Sequence, residues 1–245
     1  MKGFLISILA LLITVNARGQ HVIADSTRPA DKSEQGFTNK AEAKNILKDS
    51  LKEGKWIENI DERGNVTPYK NYLYYRLTVY KAGKPLGIQH YYYEKNNKLA
   101  AIMPYTNGEK NGIGKLYYPS GKLLKEIPYK NDLMDGVAKT YYENGGVINE
   151  IPYVNGKEIG VGKLYYENGN LKSEAIYADG VRAGVMKVYY DDGALMSEVS
   201  YEGDKRSGIE KMYYRDGKLK SETPYADDTI AGRVKEYDEN GKKIK

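Results

Sequence analysis

The chain of 245 residues has no cysteine, two histidines, one tryptophan and two phenylalanines. Without cysteine there is no disulfide, no thiol nucleophile, no thiolate-bound zinc and no lipid-modified cysteine behind a leader. His21 lies in a polar, patternless stretch and His90 in a strand-like run. No Ser-His-Asp or HExxH set can be built from those two positions. Long runs of one charge are also missing, since basic and acidic residues interleave with no block of five. That pattern lacks the basic stripe of a nucleic-acid binder. Asp191-Asp192 and Asp227-Asp228 lack calcium-loop spacing and read as turns, so neither metal nor cofactor is expected.

There is one apolar run, Phe4 to Val15, which is far short of the roughly 20 residues that span a bilayer. Lys2 precedes it, and Ala17 and Gly19 follow at the −3 and −1 positions of a cleavage site. This reads as a Sec signal peptide over residues 1–19, which places the mature chain in the periplasm, on the cell surface or outside, with no transmembrane helix. Lys2 and Arg18 leave with the leader, taking 38 basic residues to 36 against 33 acidic and the net charge from +5 to +3.

What the chain has in excess is tyrosine, 25 residues, and a period. Glycine recurs every 24 residues at Gly112, Gly136, Gly160, Gly184, Gly208 and Gly232. Lys115, Lys139, Lys163, Lys187 and Lys211 follow three residues on, and then Tyr117, Tyr141, Tyr165, Tyr189 and Tyr213, each with a second tyrosine behind it. A fixed period in this range marks an array in which each unit packs on its neighbours. The expected fold is all-β: a single-file array of antiparallel hairpins forming an elongated twisted sheet, with a short capping helix at its start. Residues 20–37 read as a disordered linker. Residues 38–53 read as a helix capped by Thr38, with Ala43, Ile46, Leu47 and Leu51 at helical spacing, either covering the first sheet edge or docking a partner. Residues 54–86 read as degenerate repeats anchored by Trp56, and residues 87–245 as the regular array.

Turn chemistry sets the register. Asn144-Gly145 and its equivalents predict two-residue type I′ hairpins. Such a loop pairs Lys139 with Glu150 and Tyr141 with Ile148. An unslipped repeat then places Glu150 beside Lys163 as well. The same reasoning pairs Lys115 with Glu126, Lys163 with Glu174, Lys187 with Glu198 and Lys211 with Glu222, a ladder of alternating charge that serves as a register device. The second connection, such as the six residues between Tyr153 and Gly160, reads as a longer loop, with Gly160 making room for the Tyr153 ring. Alternation puts Tyr118, Leu123, Ile127 and Tyr129 on the packed face and leaves the ladder of Tyr117, Tyr141, Tyr165, Tyr189 and Tyr213 outside. These rings either meet a partner or stack to hold the sheet.

The string G-x-x-K-x-Y-Y-x-[ND]-G-x-L-x-x-E-x-x-Y-x-x-G resembles the MORN (membrane occupation and recognition nexus) repeat in its second, bacterial variant, over Gly87 to Lys245. The resemblance implies a binding scaffold, and exported chains of this kind resemble the YwqK-type antitoxin components of toxin–antitoxin pairs. A protein partner is then expected, a secreted toxin being one case, with a glycan- or envelope-binding module using the tyrosine ladder as the alternative. A glycosidase reading of the glutamate row is disfavoured, because flanking lysines keep such carboxylates ionised and neither could act as general acid.

Overall fold

A computed structural model describes residues 35–69 and 72–245. The signal-peptide reading, and the linker reading up to residue 34, lie outside the described residues. The chain divides into two compact units at Leu133/Met134. In each, strands follow one another in chain order and every recorded pairing is antiparallel. The first unit contains β1 (Ile46–Lys48), β2 (Leu51–Ile60), β3 (Tyr74–Lys81), β4 (Lys84–Tyr93), β5 (Leu99–Thr106), β6 (Glu109–Lys110), β7 (Gly112–Tyr117) and β8 (Leu123–Lys130). β9 (Leu133–Met134) spans the division. The second unit repeats the pattern with β10 (Gly136–Tyr141), β11 (Val147–Val154), β12 (Lys157–Glu158), β13 (Gly160–Tyr165), β14 (Leu171–Ala178), β15 (Val181–Arg182), β16 (Gly184–Tyr189), β17 (Leu195–Glu202), β18 (Lys205–Tyr213), β19 (Leu219–Ala226), β20 (Thr229–Ile230) and β21 (Lys235–Glu236).

The Lys–Glu pairs form in the predicted register. Lys139 lies opposite Glu150 and Glu150 opposite Lys163, and the same pairing joins Lys115 to Glu126, Lys163 to Glu174, Glu174 to Lys187, Lys187 to Glu198 and Lys211 to Glu222. The turn that sets it differs from the predicted one. Asn144 does not take the positive φ a type I′ turn needs, and only Gly145 does, at 91°. Gly145 N–H donates to the Tyr142 carbonyl at 2.9 Å, and Asn144 Oδ1 accepts from Gly146 N–H at 2.8 Å. This is a three-residue loop, a type I turn followed by a left-handed glycine. It should displace the register by one residue, but a bulge in β11 takes that residue back, so Tyr141 pairs with Val147 rather than Ile148. The type I′ turns occur at the other connection, where Asn155 (φ 49°) and Gly156 (φ 82°) join β11 to β12. The predicted long loop is thus itself a tight hairpin.

This relocates the job of two glycines. Tyr153 pairs with Gly136 on one side but with Glu158 on the other. Gly160, the first residue of β13, sits at φ 104°, and a Cβ there would lie 3.3 Å from Pro152 Cγ. The tyrosine ring covers the residue two further on: a Cβ on Gly162 would lie 2.9 Å from Tyr177 Cε2.

The capping helix is absent. Residues 38–53 instead form one 3-10 turn, Lys40–Glu42, capped by Asn39 rather than Thr38, and then β1. Tertiary hydrogen bonding overrides helical spacing here. Asn45, at φ 48°, accepts the Ile57 N–H at Oδ1 (2.8 Å) and donates through Nδ2 to the Ile57 carbonyl (3.0 Å). Asp49 and Ser50, both left-handed, turn the chain back into β2. The segment still lies along the outer edge of β2, where the Lys44 N–H bonds the Lys55 carbonyl at 3.0 Å. The end of the predicted linker is also ordered, because Phe37 is buried with Tyr75 and Leu77, and Ala43, Ile57, Tyr72, Val79 and Tyr92 pack round them.

Candidate partner-binding face

Each repeat contributes the same strip to the outward face. Its first row is apolar on the leading strand and mostly so on the second: Ile113 opposite Pro128 in the first unit, then Val137 opposite Pro152, Val161 opposite Ile176, Val185 opposite Ser200 and Ile209 opposite Pro224 in the second. Within a unit, sheet dimensions space successive rows about 10 Å apart, two strands per repeat. Ile113, Val137, Val161, Val185 and Ile209 are 39–51% exposed, although the chain buries Leu116 and Ile127 on the opposite face almost completely. Next comes the charge row. Lys115 binds Glu126 at 3.0 Å, Lys139 binds Glu150 at 2.7 Å and Lys235 binds Glu222 at 2.9 Å. The Lys139 hydrogen bond holds the Glu150 carboxyl below its ordinary range despite partial burial, and Lys235 does the same for Glu222. Neither is a proton donor for acid catalysis near neutral pH.

The third row is the predicted tyrosine ladder. Tyr165 donates its hydroxyl to Glu150 at 3.0 Å, Tyr189 to Glu174 at 2.8 Å and Tyr213 to Glu198 at 2.8 Å, each reaching back one repeat. Burial and the accepting carboxylate push the Tyr189 and Tyr213 hydroxyls up to about 12, so they remain donors. Tyr117 and Tyr141 occupy the same slot and, like the other three, are half-buried. The second tyrosine of each pair has a role that sequence reasoning does not assign. Tyr142, Tyr166, Tyr190 and Tyr214 donate forward to the carbonyls of Tyr165, Tyr189, Tyr213 and Tyr237 at 2.7–3.1 Å. The Tyr-Tyr spacing is the available signal, since adjacent strand residues point to opposite faces and one pair can therefore bind both neighbours. Tyr166→Phe should lower stability by about 0.5–1.5 kcal/mol, the net value of one such bond, measured by urea unfolding.

A family profile described as a MORN repeat variant matches residues 110–131, 134–155, 158–179, 182–202 and 206–227. These are MORN repeats. Each matched window runs from one type I′ turn to the next, with a left-handed glycine loop in its middle: Ser120-Gly121 in the first, Asn-Gly or Asp-Gly in the others. MORN repeats form a non-enzymatic family whose members bind proteins or membranes. No curated protein matches the chain. Among solved structures, the crystal structure of TarM is similar over 37% of this chain and 18% of that one, at 13% identity and a TM-score of 0.28. This chain therefore spans under a fifth of that one, and so loose a superposition carries no argument.

The equivalent strip one unit before the matched repeats is covered by the chain itself. Ile88, opposite Pro104, stands where Ile113 stands in the next unit, and His90 stands where Lys115 does. A Cβ on Gly36 would lie 2.0 Å from the Ile88 carbonyl oxygen and 3.2 Å from His90 Cε1, so the segment from Gly36 lies directly on this copy. Burial pushes the His90 imidazole below its ordinary pKa, which suits a neutral ring in a slot that elsewhere holds a half-buried lysine.

Proposed function

We propose that the protein is an exported, non-enzymatic scaffold whose MORN face binds a partner polypeptide, an antitoxin or immunity role toward a secreted protein being the form suggested by the resemblance of its repeats. The observation that carries the reading is the covering of the first face copy by the chain's own Gly36–Ala43 segment, while the equivalent rows from Ile113 onward stay open. The occupant on view is a polypeptide with an aromatic side chain, and the open copies offer the same chemistry: apolar spots flanked by fixed charge pairs. Placing a charge in an apolar contact costs at least about 1 kcal/mol, so three together should weaken binding roughly 100-fold.

The test replaces Val137, Val161 and Val185 with glutamate, all three exposed and in one unit. Glutamate leaves the set of lysines unchanged, so both forms react alike with a lysine-directed crosslinker. The mature chain is crosslinked in its native envelope, and captured polypeptide is quantified for each form. The reading expects a polypeptide adduct in the wild type that falls to background in the triple variant at unchanged circular dichroism. An adduct equally strong in the triple variant, or retention of glycan alone, would overturn it.

A further inference from the structure

At the start of the first unit, Trp56 and Tyr80 stand edge to face, with ring centroids 6.2 Å apart and planes at 78°. The Lys52 ammonium lies over both rings, 5.0 Å from the Trp56 centroid and 4.9 Å from that of Tyr80. Glu58 closes the back of the space: its Oε1 accepts from Lys52, and its side chain is 5% exposed. Two aromatic faces and a carboxylate converging on one ammonium are the elements that recognise organic cations.

Three features separate this arrangement from an ion pair that needs its lysine. Glu58 is already neutralised without Lys52, because Oε2 accepts from Arg76 Nε at 2.9 Å and from the Tyr80 hydroxyl at 3.0 Å. The walls are held by groups other than Lys52: the Trp56 indole N–H donates to the Ile46 and Glu53 carbonyls, both at 3.1 Å, and Tyr80 is fixed through Glu58. The mouth is also reachable, since the Lys52 side chain is 33% exposed. A preformed cage with an independently neutralised base and an accessible entrance does not depend on the cation inside it.

We infer that Trp56, Tyr80 and Glu58 form a binding site for a primary alkylammonium, that Lys52 is its tethered resident ligand, and that a lysine side chain of a partner takes the same place when Lys52 swings out. The Oε1 contact selects a primary ammonium, which has N–H bonds to donate, over a quaternary one, which has none. The tether lowers the apparent affinity for an outside cation by the fraction of time the cage is vacant.

Trp56 is the protein's only tryptophan, so its fluorescence reports on the cage directly. The experiment titrates n-butylammonium and tetramethylammonium into the full chain as wild type, Lys52→Ala and Lys52→Met. Alanine opens the cage, whereas methionine keeps it filled with an uncharged stem. Expected is a saturable Trp56 response to n-butylammonium in Lys52→Ala, about 10–100-fold tighter than in the wild type for a cage that Lys52 fills about 90–99% of the time. The response should be absent in Lys52→Met and at least about tenfold weaker with tetramethylammonium. As a readout separate from fluorescence, n-butylammonium should raise the melting temperature of Lys52→Ala and leave that of Lys52→Met unchanged. No saturable response in a folded Lys52→Ala, equal responses in the two variants, or tetramethylammonium binding as tightly as n-butylammonium would each overturn the inference.

Discussion

Glu58→Gln should destabilise the first unit by about 3–5 kcal/mol at pH 7, the typical penalty for removing one partner of a buried ion pair. Glu58 is buried and accepts from Lys52, Arg76 and Tyr80. The amide would leave the Arg76 guanidinium, itself largely buried, without its counter-charge. The effect should also carry a pH signature. Burial pushes the Glu58 carboxyl up, but Arg76 and Lys52 more than offset this and hold it below the ordinary glutamate value of 4.5. A carboxyl whose folded pKa is depressed contributes stability that is fully present above its unfolded value and is lost as pH falls through the folded value. Urea unfolding followed by Trp56 fluorescence should therefore show a gap between wild type and Glu58→Gln that is constant above about pH 5.5 and closes progressively below about pH 4.5, one unit being a tenfold change in protonation. A gap that persists unchanged down to about pH 2 would show that the carboxylate's charge is not what the site uses.

The second large effect is expected at Gly36. Its φ is +70°, and a Cβ would lie 2.0 Å from the Ile88 carbonyl oxygen. Both groups are backbone, so no rotamer change relieves the overlap. Gly36→Ala should detach the segment from Gly36 to Ala43, and with it the burial of Phe37, worth about 2–3 kcal/mol. Amide exchange across residues 37–43 should rise about 30- to 160-fold, that loss expressed as a rate ratio. Gly203→Ala supplies the comparison: its φ of +60° imposes left-handed strain of about 1–2 kcal/mol, but nothing lies within 4 Å of the new Cβ. If the two substitutions raised exchange across residues 37–43 equally, the close approach to Ile88 would not be what holds the segment. Detachment would also open the equivalent strip round Ile88 and His90, so the same variant should gain partner binding if the open copies are the binding ones.

What is legible in the residues alone divides along physical lines. The period, the all-β class and the Lys–Glu register are legible because each repeats, and one mistaken local reading cannot displace an arrangement that five copies must satisfy together. The turn type at Asn144-Gly145 is not, since the same dipeptide serves both a type I′ turn and a type I turn with a left-handed glycine; the flanking bulge that decides between them has no signature of its own. Residues 38–53 imitate a helix because Ala43, Ile46, Leu47 and Leu51 do fall at helical spacing. What excludes the helix is Asn45 bonding across to Ile57, a contact that exists only once the sheet is there. The outward tyrosines can be picked out, but their hydroxyl partners cannot: Glu150 is 15 residues before Tyr165, and nothing local links them. The cage round Lys52 is hidden for the same reason, with Tyr80 brought to Trp56 by the pairing of β2 with β3.

The loop and the bulge in each repeat, one residue out and one residue back, make the repeat self-contained in a further sense. A lineage can lose or duplicate a whole 24-residue block and leave every remaining cross-strand partner in place, and the loop tolerates one extra residue between Tyr93 and Lys98, whereas losing the bulge residue would turn the following side chains to the wrong side of the sheet. The array's length is therefore free to drift while its internal phase is not. Natural variation in such chains should come in whole blocks, with partner reach changing in steps of about 10 Å.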